Sequence, residues 1–139
     1  MAKKGRSPAE ALERVPLLSG LNGRARGRLA KTMTERKFPA GRDIVVEGHK
    51  GVGFFIITEG SAAVSIGGDV IRVLGPGDYF GEMALIHGEK RSATVTAKTD
   101  LRCLTISAWA FKSFVQGQPQ VAWALLEALT QRLIEASAR

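Results

Sequence analysis

Cysteine, histidine and long apolar runs are all scarce in this chain. One cysteine, Cys103, stands among 139 residues, so no internal disulfide can form. Set in an apolar, strand-like segment, it reads as a buried thiol in a reducing compartment, and the expected location is cytoplasmic. His49 and His87 are the two histidines. Neither has a second ligand at metal-binding spacing, and Cys103 has no partner for a zinc site, so no metal is expected. The apolar runs are short and interrupted, and the basic start Met-Ala-Lys-Lys-Gly-Arg lacks the apolar stretch of a secretory signal; neither a membrane span nor a signal is expected. Gly-x-Ser-x-Gly, a Walker lysine and paired carboxylates are also missing. With no nucleophile in view, the chain reads as non-enzymatic.

What is present begins with charge. The net charge is +7, and it is unevenly placed. Residues 1–42 hold eleven Lys and Arg against Glu10, Glu13 and Glu35, a balance of +8, while the remainder is close to neutral. Such a region can meet nucleic acid, an anionic membrane surface or an acidic partner. No aromatic interleaving or base-reading helix pattern accompanies it, which favours a solvated helical face.

The chain is long enough for one proper core, and its pattern runs helix, strands, helix. Pro8 to Val15 reads as a first helix with Ser7 as cap and Pro8 at the first helical position. Asn22 caps a second, running to about Met33, after a turn from Pro16 to Leu21. From Arg36 onward short β-rich runs are punctuated by glycine: Ile44 to Val46, Phe54 to Thr58, Ala62 to Ile66, Val70 to Leu74, Thr94 to Ala97 and Leu101 to Ile106. Short antiparallel strands at this spacing suggest a jelly-roll barrel. Helical periodicity returns in Trp109 to Val115 and again from Pro119, where Ala122, Leu125, Leu126, Leu129 and Leu133 recur at three- and four-residue steps.

The most informative stretch is FGEMALIHGEKRSAT, Phe80 to Thr94. Gly81 lets the chain turn sharply and lets a ligand approach the backbone. Glu82 to Ile86 make a short helical turn whose first N–H groups lack intrahelical partners and present the positive end of the helix dipole to an anion. Arg91, nine residues after the glutamate, supplies a planar, permanently charged guanidinium that can grip two phosphate oxygens, and Ser92 adds a hydroxyl. A carboxylate beside a phosphate is repulsive unless it faces another group, and a ribose hydroxyl is the natural partner for Glu82. The implied ligand is a nucleotide whose phosphate and ribose lie close together.

This stretch resembles the phosphate-binding cassette of the cyclic-nucleotide-binding domain, the family of the bacterial catabolite activator, the regulatory subunits of protein kinase A and cyclic-nucleotide-gated channels. The pattern is matched by Phe80, Gly81, Glu82, Met83, Ala84, Leu85, Arg91, Ser92 and Ala93. Met83 stands where Leu or Ile is commoner, and Lys90 where Pro is frequent; neither change removes a ligand group. The resemblance implies that Glu82 binds the ribose 2′-OH, Arg91 the cyclic phosphate, and backbone amides of the short helix complete the cradle.

It also implies an α+β fold: an antiparallel β jelly-roll barrel with N-terminal helices, a short phosphate-cassette helix and two C-terminal helices, the last a lid. The expected organisation is a single domain over 1–139, with a helical preface (1–35), a β-roll (36–107) containing the cassette (80–94), and closing and lid helices (108–139). On the lid, Leu129, Leu133 and Arg132 are candidates to touch the base, Arg132 by stacking; core or homodimer packing is the competing role for the leucines, and a solvated face for Arg132. Ser92 leaves base preference open through its hydroxyl, with cAMP favoured over cGMP. Arg72, on the strand before the cassette, could favour guanine or simply face solvent.

The helix-turn-helix of a DNA-binding member is not expected after Leu133. The expectation is a stand-alone receiver that signals to an unidentified protein effector, Met1 and the basic leader favouring an intact small protein. The alternatives are a domain excised from a channel or other larger protein, and an interaction module that has lost nucleotide binding; intact Glu82 and Arg91 argue against the last.

Overall fold

The structure, a computed structural model, describes residues 7–49, 53–81 and 91–137. These fall into two compact units, one of 32–112 and one combining 1–31 with 113–139.

In the helical unit, α1 (Pro8–Leu12) opens with a complete capping box: the Ser7 hydroxyl accepts from the Glu10 N–H, and the Glu10 carboxylate accepts from the Ser7 N–H. The helix stops earlier than its apolar pattern suggests, because Val15 precedes a proline and is held extended, at φ −95° and ψ 110°. A 3-10 turn over Pro16–Leu18 follows. The carboxamide oxygen of Asn22 then accepts from the Ala25 N–H at 2.8 Å, capping α2 (Gly23–Lys31). Ala25, Leu29 and Ala30 face inward along α2, while Arg24, Arg28 and Lys31 are exposed.

The β unit contains β1 (Thr34–Phe38), β2 (Asp43–Val45), β3 (Gly53–Glu59), β4 (Ala62–Ile66), β5 (Asp69–Leu74), β6 (Tyr79–Phe80), β7 (Thr94–Ala97) and β8 (Leu101–Ser107). They form two four-stranded antiparallel sheets, ordered β1-β8-β3-β6 and β2-β7-β4-β5. The chain changes sheet repeatedly, which is the jelly-roll arrangement expected. Phe38, Phe55, Ile57, Phe80, Leu101 and Cys103 of the first sheet meet Val45, Ala62, Leu74, Val95 and Ala97 of the second in one core. Burial pushes the Cys103 thiol up to about 12, against a smaller opposing pull from Arg36.

Two strands escaped the sequence pattern for different reasons. β1 carries TERKF, four of its five residues exposed, so no alternation marks it. Its register comes from β8, pairing Thr34 with Thr105 through to Phe38 with Leu101. β6 is two residues long, too short to show a period, and is defined by pairing with Phe55 and Ile56 of β3.

The remaining helices are α3 (Ala108–Gln116) and α4 (Pro119–Ser137), the two C-terminal helices expected. In α3, Phe111 stacks on Phe54 of β3 with ring centroids 4.1 Å apart and planes 9° from parallel. In α4, Val121 and Leu125 are buried and nothing beyond Leu125 is. The expected cassette helix lies outside the described residues.

Candidate functional site

Strand β6 delivers Gly81 at its end. A turn aids this delivery: Asp78 O accepts from the Ile57 N–H at 2.8 Å, and the Gly77 N–H donates to Ile57 O, also at 2.8 Å. Phe80 is buried and stacks on Phe55, centroids 4.8 Å apart. Its ring therefore lies in the core, fixing the strand that carries Gly81. At Gly81 the backbone turns to φ 97°, a conformation that L side chains rarely adopt. A Cβ there would strike the Gly53 carbonyl and would stand 3.3 Å from Nη1 of Arg91. Gly81 is thus required twice, by its dihedral angle and by what lies against it.

Arg91 approaches the same point from the other end of the cassette. Its backbone is clasped by the turn after β2: the Gly48 N–H donates to Arg91 O at 2.9 Å, and the Arg91 N–H donates to His49 O at 2.8 Å. Its side chain turns inward, and Nη2 donates to the Gly53 carbonyl at 3.2 Å. At 8 % exposure, Arg91 is the one buried charged residue among the described residues. Burying a guanidinium is costly without hydrogen-bonding partners, so the bond to the Gly53 carbonyl helps keep this cation at this place. Gly53 O lies between Gly81 and the guanidinium and makes a single cluster of residues 53, 81 and 91.

Ser92 is exposed beside Arg91 and Ala93 is half-buried. β7 follows, secured by the Glu47 N–H donating to Thr94 Oγ1 at 2.9 Å and Thr96 Oγ1 donating to Asp43 Oδ1 at 2.7 Å. Glu82, Met83, Ala84 and Leu85 lie outside the described residues, as does His87. Arg132 is half-buried and belongs to α4 of the helical unit, with Leu129 half-buried and Leu133 exposed on the same helix. Arg72 is half-buried on β5, opposite Val64 of β4. An open surface cavity lined by Phe38, Leu101 and Arg102 contains none of the cassette residues. Among the described residues no group of His, Cys, Asp and Glu could hold a metal ion, and no helix is long and apolar enough to cross a membrane.

Residues 48, 49 and 53 are what sequence reasoning missed. They act through backbone N–H and C=O groups, which carry no residue-type signature. The one available signal was glycine at 48 and 53, and it reads equally well as strand punctuation.

These features define a class: an antiparallel jelly roll that holds a buried guanidinium against a left-handed glycine at a turn in its wall. Comparison supplies the family. The family model described as "Cyclic nucleotide-binding domain" matches residues 35–118, and the chain belongs to that family, whose members are regulatory and generally non-catalytic domains. The chain is 39% identical over 103 residues to a cAMP-dependent protein kinase regulatory subunit of Yarrowia lipolytica, covering 73% of this chain and 28% of that one. Its fold is similar to the Thermus thermophilus catabolite activator protein, with a TM-score of 0.79 and 29% identity over 88% of this chain and 60% of the other. It is similar also to the regulatory domain of Toxoplasma gondii PKA in co-crystal with cAMP, with a TM-score of 0.77 and 30% identity over 92% and 49%. The chain spans about a quarter of the length of the curated relatives it matches.

Proposed function

We propose that this chain is a cyclic-nucleotide receiver that prefers cAMP to cGMP and works as one domain over its whole length. The observation that carries the reading is the convergence of Gly81 and Arg91 on Gly53 O. A cyclic phosphate placed there meets a seated guanidinium at a bend where Gly81 itself puts no side chain in the way. Glu82 takes the ribose 2′-OH, the amides of Met83, Ala84 and Leu85 complete the phosphate cradle, and Ser92 and Ala93 line its exit. The preference for cAMP draws on relatives named for cAMP dependence and on the cAMP co-crystal of a similar domain.

Occupancy is passed on through α4, the lid. Ligand binds the lid-closed state better and so raises its population, and Arg132 stacks on the base in that state. No half of α4 beyond Leu125 is buried, which suits an element that must change position cheaply. An unidentified effector protein, or a second copy of the chain, reads the movement. No cofactor is required, and the role is regulatory, without catalysis.

Isothermal titration calorimetry with cAMP and cGMP tests this, alongside Arg91→Ala and Arg91→Lys checked for folding by thermal melting. Saturable binding, tighter for cAMP and lost in both folded variants, is the expected result. Folded wild-type protein that binds neither nucleotide overturns the reading in favour of an interaction module.

A further inference from the structure

Between Glu13 and Glu35 the sequence contains no acidic residue, yet it places Arg24, Arg26, Arg28 and Lys31 within α2. Arg26 is turned back to the Leu21 carbonyl. The others are exposed and fall at i, i+4 and i+7, one face of the helix. Among the described residues none of the three engages a carboxylate. Arg28 and Lys31 complement the helix dipole in the last turn, but Arg24, second in the helix, opposes it. Like charges at three- and four-residue spacing repel along the whole stripe. Among the described residues no carboxylate offsets this charge, and its mutual repulsion weakens the helix.

We propose that the exposed face of α2 is a docking surface for an anionic lipid headgroup layer, independent of the nucleotide reading. Charge complementarity selects an anion, and the residues between the cations select the kind. Gly27 lies on the stripe between Arg24 and Lys31, and a Cβ there would meet nothing within 4 Å, so the helix backbone can lie close to a plane of phosphates. Ala25, Leu29 and Ala30 are buried. Apart from the basic side chains themselves, no Asn, Gln, Ser, Thr or aromatic side chain projects from the helix to add base-edge contacts or a stacking platform. With its apolar side buried, α2 rests on the surface by electrostatics alone, and the attachment is reversible and salt-sensitive.

The test is vesicle co-sedimentation of the full chain with phosphatidylcholine alone and with phosphatidylcholine carrying phosphatidylserine. The wild type should bind only the anionic vesicles. Arg24→Ala/Arg28→Ala/Lys31→Ala should lower that binding by about a hundredfold, on the basis of three basic contacts at an anionic surface. A charge-matched variant of three exposed cations of the β unit, Arg42→Ala/Lys98→Ala/Lys112→Ala, should retain most of it. Alanine relieves the repulsion and is a better helix former, so the α2 variant should melt no lower than wild type. Equal losses in the two variants, or tighter α2-dependent binding to duplex DNA or RNA than to the vesicles, overturns the proposal.

Discussion

The β unit and α4 are built to opposite specifications. In the β unit both sheets turn large side chains into one core, Phe54 is fully enclosed between Tyr79 and Phe111, and even the cation Arg91 is drawn inside. In α4 burial ends at Leu125, while Trp123, Leu126, Leu133 and Ile134 are all more than half exposed. The first region is expensive to deform and the second is cheap to move. A receiver needs both properties, a pocket whose geometry does not drift and a reporter whose position can change, and the difference in burial is what the proposed lid rests on.

Substitutions can break this contrast or sharpen it. Phe54→Ala removes a fully enclosed ring of the β unit, packed between Tyr79 and Phe111, and should cost ~4 kcal/mol in urea unfolding; a loss near zero would mean that this aromatic packing is not what fixes β3 and the Gly53 carbonyl it carries. Gly81→Ala forces a side chain into a left-handed backbone and into Gly53 O. It should destabilise by ~2 kcal/mol and weaken nucleotide binding by at least about tenfold, measured by melting and calorimetry together. Unchanged binding in that variant would separate Gly81 from the site.

Cys103 probes the same core through pH. Its folded thiol is raised from 9.0 to about 12 by burial, so the unfolded chain ionises first. The stabilisation is complete below 9 and is lost as pH climbs toward 12. By about pH 10 the loss should be on the order of 1 kcal/mol, absent from Cys103→Ala when each protein's stability is compared with its own value at neutral pH. In the helical unit, Ser7→Ala deletes a capping box and should cost ~1 kcal/mol. The smallest effect belongs to Leu133→Gln and Ile134→Gln, each within ~0.5 kcal/mol of wild type in stability. A larger loss from either would mean that the outer half of α4 is held in place and cannot serve as a movable reporter.

Much of this molecule was legible because its signals are local. Ser7, Pro8 and Asn22 mark helix starts by chemistry that acts over three residues, and all three do what their types suggest. The β-rich runs after Ile44 keep their places because β-branched and aromatic residues fill them and glycines fall near their ends. The two strands without such a signal, β1 and β6, exist because a neighbour imposes hydrogen bonds on them. The same division runs through the candidate site. Gly81 and Arg91 were recognisable by type and spacing, while the groups that hold Arg91, the His49 and Gly53 carbonyls and the Gly48 N–H, are backbone atoms contributed from some forty residues earlier in the chain.

By itself the sequence determined the family, the helix caps, the positions of most strands and the residue types available to meet a phosphate, since each of these depends on side-chain chemistry read over a few neighbouring positions. Only the tertiary structure decided that Phe80 serves the core, that Gly81 has no room for a side chain, and that Arg91 is buried on a carbonyl from β3. Those facts depend on which distant segments the sheets bring together, and a one-residue change of strand register would have undone all three.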